Sequence, residues 1–146
     1  MILKKFKVYH YFWLVSIIIL IIGICRYNIT NTLDINIHDT YFVISDFHVA
    51  IILCITYFIY GLGYWFVQEK FKKPLVKILT ILHSVFLIGS FLVYWIVVVY
   101  CQLFVPNNFP LSDNYQTINI TLVFCSILCI IALPIYIINL TIAAFR

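Results

Sequence analysis

Four of the residues best suited to chemistry in this sequence fall within a short block: His38, Asp39, Asp46 and His48. They run straight into a hydrophobic stretch, where an ionisable group is costly and needs a reason to persist. An imidazole can supply an axial ligand to haem iron through one ring nitrogen, and a membrane-crossing helix would hold that nitrogen at a fixed depth. His38 and Asp39 together offer a nitrogen and an oxygen to a cation, but two ligands on a loop do not make a site without others. Asp39 or Thr40 also has a use that needs no cofactor, capping the first turn of a helix by accepting from free backbone amides. Asp46 and His48 equally suit hydrogen-bonded polar residues inside a helical bundle. Elsewhere, Cys125 and Cys129 share a helical face, yet two thiols without histidine or carboxylate neighbours read as packing residues rather than ligands. The sequence carries no nucleophile triad, phosphate-binding glycine loop or paired in-membrane carboxylates, so it makes no independent case for an enzyme.

The elements that must position these residues are legible in the composition. In 146 residues, 65% are hydrophobic and 10% charged, whereas soluble domains carry about 25% charged residues. Four apolar segments, roughly 8–25, 42–67, 75–104 and 117–145, meet or approach the ~20 residues that a helix needs to cross a bilayer. Backbone groups in lipid must pair within their own segment. The expected fold is therefore all-α: a polytopic transmembrane four-helix bundle forming one domain over residues 1–146.

Charge placement predicts the orientation. Lys4, Lys5 and Lys7 precede the first helix, Lys70, Lys72, Lys73 and Lys77 surround the second loop, and Arg146 ends the chain. Only Arg26 lies opposite, so the positive-inside rule puts both termini in the cytoplasm and the loops near 26–40 and 105–116 outside. The formal charge of +4 suits anionic lipid headgroups rather than nucleic acid, since no soluble basic domain accompanies it. The first helix reads as a retained signal anchor, because a bulky Ile24 precedes Cys25 and no small-x-small cleavage site follows. An aromatic belt from Tyr57 to Phe66 contains Gly61 and Gly63, which would admit a neighbouring helix. Pro134 removes a backbone donor inside the last helix and should kink it.

The block His38-Asp39-Thr40-Tyr41-Phe42-Val43-Ile44-Ser45-Asp46-Phe47-His48 resembles the haem-ligand helix of cytochrome c oxidase subunit I, of the heme-copper oxidase family. That helix carries a pattern close to His-Asp-Thr-Tyr-Tyr-Val-Val-Ala-His-Phe-His. His38, Asp39, Thr40, Tyr41, Val43, Phe47 and His48 match it, while Asp46 stands where the ligand of the oxygen-reducing haem would be. The resemblance implies that His48 corresponds to a ligand of the low-spin haem, and His38 and Asp39 to residues on the magnesium side. The order of helices, basic turn and Pro-containing loop is similar, more loosely, to helices nine to twelve of that subunit. The family's copper-binding histidines lie on earlier helices, so this polypeptide by itself is not expected to reduce oxygen.

The function expected is thus that of a plasma (inner) membrane protein resembling a truncated, non-catalytic oxidase subunit I, structural or interacting in role and needing no cofactor. One alternative is a membrane electron-transfer or haem-handling protein that binds haem through His48. Another is an accessory subunit of a respiratory complex; magnesium at His38 and Asp39 is a weaker cofactor expectation. The partners expected are the lipid bilayer and either a second copy of the chain or a respiratory membrane subunit. If the second helix begins near residue 40, His48 lies about 12 Å inside its outer end and His83 about as far inside the inner end of the third. On helices of ~40 Å this separates the two in depth by ~16 Å, so a bis-histidine haem would draw its second ligand from another chain. His10, at the cytoplasmic end, fits no better.

Overall fold

The computed structural model describes residues 7–25, 27, 32–37, 40–104 and 112–145. Its helices are α1 (Val8–Cys25), α2 (Asp46–Trp65, continued by a π-helical turn Phe66–Lys70), α3 (Lys77–Phe104) and α4 (Ser112–Phe145). All four are long and apolar enough to cross a membrane, which makes the chain an all-α, multi-pass membrane protein. It divides into two compact units, residues 1–70 and 71–146.

In the first unit α1 and α2 form an antiparallel hairpin. Gly23 meets Ala50, and Gly61 meets Trp13 and Phe12; between them the Ser16 hydroxyl donates to the Cys54 carbonyl at 2.9 Å. Small residues matter here because lipid supplies no hydrophobic drive between helices, so association relies on close van der Waals packing and hydrogen bonds. Tyr57, Tyr60 and Tyr64 recur at i, i+3 and i+7, on one face of α2. All three pack around Phe12, with ring centroids 6.1, 6.3 and 5.6 Å away. Phe12 and Tyr64 are fully buried. Gly61 thus admits a neighbouring helix, and that helix is α1 of its own chain.

Between the two helices lies an element that the hydropathy reading did not anticipate. Thr32–Ile37 (β1) and Thr40–Ser45 (β2) pair antiparallel, in the register Leu33 opposite Ile44, Ile35 opposite Phe42 and Ile37 opposite Thr40. Residues expected as a polar loop and as the first turn of a helix are therefore a β-ribbon, and α2 starts at Asp46 rather than near residue 42. Two local causes favour this. Thr32-Leu33-Asp34-Ile35-Asn36-Ile37 alternates strictly, as a half-buried strand does, and Thr40-Tyr41-Phe42-Val43-Ile44 is a run of β-branched and aromatic residues that fit a pleated surface.

In the second unit α3 and α4 pair antiparallel. On α3, Thr80, His83, Leu87 and Ser90 are buried; on α4, Cys125, Ala132, Asn139 and Ala143 are buried, with Cys129 and Tyr136 half-buried between them. Spacings alternating between three and four residues are those of a coiled-coil seam. Lys73 Nζ donates to the Ala144 carbonyl at 2.6 Å, satisfying an orphan acceptor in the last turn of α4. α4 starts five residues earlier than the hydropathy boundary at 117, because Ser112-Asp113-Asn114 suits a helix start and a helix need not stop where the lipid does. Pro134 lies inside the continuous α4.

Candidate functional site

The block that carries the candidate ligands is not one helix. Thr40 to Ser45 belong to β2 and α2 begins at Asp46; His38 and Asp39 lie outside the described residues. Thr40 cannot cap α2, because five residues separate them. Ser45 holds the N-cap position with extended backbone (φ −60, ψ 137) and makes no side-chain capping bond.

His48 is the third residue of α2 and is exposed. It sits in the first turn, about 3 Å from the helix start, which corrects the depth of eight residues expected for it. The cause is the β-ribbon, which takes the residues that would have lengthened the helix outward. Phe47 stands beside it, edge-on to the imidazole at 6.2 Å, and Tyr27 meets Phe47 edge-on at 5.0 Å. The site at this end is thus an open imidazole beside an aromatic pair. His10 cannot join it: its Nδ1 accepts from the Lys7 backbone N–H at 3.3 Å, and its ring stacks on Tyr9 at 4.1 Å. Tyr9 contacts Glu69, twenty-one residues along α2 from His48, a separation of about 30 Å.

His83 is fully buried in the second unit and stacks on Tyr136, centroids 5.0 Å apart and planes 27° apart. An imidazole enclosed in this way cannot face a haem plane unless α3 and α4 separate. One turn away, the fully buried Asn139 accepts from the Val76 N–H at 3.0 Å and donates to Thr80 Oγ1 at 2.8 Å, while Thr80 donates to the Val76 carbonyl at 2.9 Å. This closed ring of bonds ties α4 to the start of α3. Deeper in the seam, Cys125 Sγ donates to the Ser90 carbonyl at 3.3 Å, and Cys129 Sγ lies 3.6 Å from Ser90 Oγ. Both thiols pack helix on helix. Among the described residues no three His, Cys, Asp or Glu side chains gather as a metal site would require.

A further polar cluster escaped the sequence reading. Glu69, the chain's single glutamate, accepts from Lys7 Nζ at 2.6 Å and from the Tyr9 hydroxyl at 2.9 Å through the same oxygen. It belongs to the π-helical turn that ends α2. The Glu69 carboxylate bound to the Lys7 ammonium raises that lysine above its ordinary range. Both side chains are partly exposed, 44% and 38%, so water screens the pair and its net effect is small. The signal that could have found it was a lone acid set among lysines at the end of a span.

The arrangement therefore holds each helical hairpin together at its polar points and, among the described residues, leaves His48 open in the first turn of α2. Comparison of the chain with protein-family models, with curated proteins and with solved structures returned no match.

Proposed function

We propose that this chain is a non-catalytic membrane protein that works by interaction, as a homo-oligomer or as an accessory subunit of a respiratory membrane complex. One observation carries the reading: in each hairpin, interior polar side chains tie helix to helix. Ser16 bonds to Cys54, Asn139 to Val76 and Thr80, and Cys125 to Ser90. Groups committed to such bonds are costly to redirect towards a substrate in a medium without water. The respiratory setting rests on the resemblance of His38–His48 to oxidase subunit I. The plasma (inner) membrane, with both termini cytoplasmic, is the location proposed, since Lys7, Lys70, Lys73 and Lys77 flank the spans at the ends that the positive-inside rule turns inward. Crosslinking in native membranes tests the function: one dominant protein, or the chain itself, should be recovered, and a ladder of unrelated neighbours counts against it.

A second reading has one specific observation in its favour. The exposed His48 imidazole meets the first requirement of an axial haem ligand, an unobstructed ring nitrogen, with Phe47 and Tyr27 beside it to cover a porphyrin edge. The second ligand would come from another chain, given that His10 is about 30 Å away along the hairpin. Purified protein expressed with haem supplied should then show Soret and α-bands that are lost in His48→Ala. A spectrum without them in the unaltered protein removes this reading.

A further inference from the structure

We propose that the β-ribbon formed by Thr32–Ile37 and Thr40–Ser45 is a lipid-binding element that lies flat in the interfacial zone of the bilayer, apolar face down. In the observed register the residues directly opposite one another share a face. Leu33, Ile35, Ile37, Phe42 and Ile44 accordingly fall on one face with Thr40, while Thr32, Asp34, Asn36, Tyr41, Val43 and Ser45 fall on the other. One face is thus almost wholly apolar and the other mostly polar. Val43, the aliphatic residue on the polar face, is 65% exposed.

A two-stranded ribbon on its own is marginal in water and needs a surface to cover its apolar side. Its attachment to the span identifies that surface. β2 runs into α2 without a connecting loop, Ser45 to Asp46, and the membrane-length segment begins at Phe47. The ribbon is therefore rooted at the mouth of the span, and six residues per strand give it a reach of about 20 Å. Beside its root the hairpin is itself apolar on the outside, with Ile21, Ile24, Ile52 and Ile55 exposed. It cannot sink into the hydrocarbon, because the outer edges of a two-stranded ribbon carry backbone groups with no strand to pair with, and these need the water of the headgroup layer. Residues 32–45 contain no lysine or arginine. Binding is thus driven by apolar area rather than by anionic headgroups, unlike a basic amphipathic helix.

The test uses the unaltered chain in vesicles of phosphatidylcholine alone, labelled with a lipid-soluble diazirine and read residue by residue by mass spectrometry. Leu33, Ile35, Ile37, Phe42 and Ile44 should take up severalfold more label than Asp34, Asn36, Tyr41 and Val43. The pattern should survive both addition of anionic lipid and dilution to one chain per vesicle. Equal labelling of both faces overturns the proposal. So does protection of the apolar face that disappears on dilution, which would mean that a second copy covers it. Ile35→Asp should abolish the ribbon's labelling while α2 keeps its own, and Asn36→Asp should leave both as they were; an unchanged pattern in Ile35→Asp also refutes the idea.

Discussion

Replacing Gly23 by alanine places a methyl group 2.5 Å from the Cβ of Ala50 on the facing helix. Carbon atoms in favourable contact lie about 3.5–4.0 Å apart, so α1 and α2 must separate by roughly 1 Å at this crossing. The obstacle is an alanine Cβ fixed to the backbone, which has no rotamer to retreat into. Overpacking of this kind costs about 1–3 kcal/mol, and the better helix propensity of alanine returns at most ~1 kcal/mol. At Gly89 the same substitution meets only Val85 Cγ1, at 3.9 Å, so the propensity gain of up to ~1 kcal/mol stands unopposed. The two variants should therefore differ by about 1–3 kcal/mol, a factor of roughly 5 to 150 in the unfolding constant. Gly23→Ala lies on the destabilised side and Gly89→Ala at or above the unaltered protein. Unfolding of each hairpin in mixed detergent micelles, followed by far-UV circular dichroism over an SDS titration, measures the difference. Exchanging the methyl in Gly23→Ala with Ala50→Gly should recover most of the loss, since the pair then presents one methyl again. A Gly23→Ala protein as stable as Gly89→Ala would show that the α1–α2 crossing is not set by this contact, and the packing argument for the first hairpin would fail.

Further perturbations reach the other polar points. Asn139→Ala leaves the Val76 N–H without its acceptor in a partly buried place and should destabilise the α3–α4 hairpin by about 1–2 kcal/mol, between the cost of an orphaned buried donor and the smaller values typical of interhelical bonds in bilayers. The same SDS titration reads it, and a loss below the assay's resolution refutes the role given to the ring of bonds. Lys7 is raised by Glu69, so its contribution is fully present below the ordinary lysine value and is lost as pH climbs through the raised one. In Glu69→Gln the NMR titration of the dimethylated Lys7 amine should move down, and an unmoved curve would mean that the pair does not form. Ser45→Ala should change stability by less than about 0.5 kcal/mol, against the ~1 kcal/mol usual for an N-cap serine, because Ser45 makes no capping bond.

What is legible in the sequence follows from the solvent. A bilayer imposes length and apolarity on each span so strictly that hydropathy alone delimits residues 8–25 as a helix, and with it the four-span, all-α class. The candidate ligands were less legible because the resemblance treats His38 to His48 as one helix. The register of Thr32–Ile37 against Thr40–Ser45 instead divides the block between a ribbon and a helix, and leaves His48 in the first turn. A period-two signal was present in Leu33, Ile35 and Ile37, but six residues of alternation become a strand only when a second segment is there to pair with.

By itself, the sequence determined that the chain crosses a membrane and where the crossings lie, because transfer of a segment into lipid depends on its own composition and on little else. Tertiary structure decided which side of each helix meets another. In α4 apolar residues surround the helix, so little that is local distinguishes Cys125, Ala132 and Ala143 from their neighbours until α3 packs against them. The same holds for Gly61, whose partner turned out to be Trp13 of its own chain. Lipid is as apolar as a helix surface, so which face is buried is chosen by shape and hydrogen bonding between two segments, and neither property belongs to one segment alone.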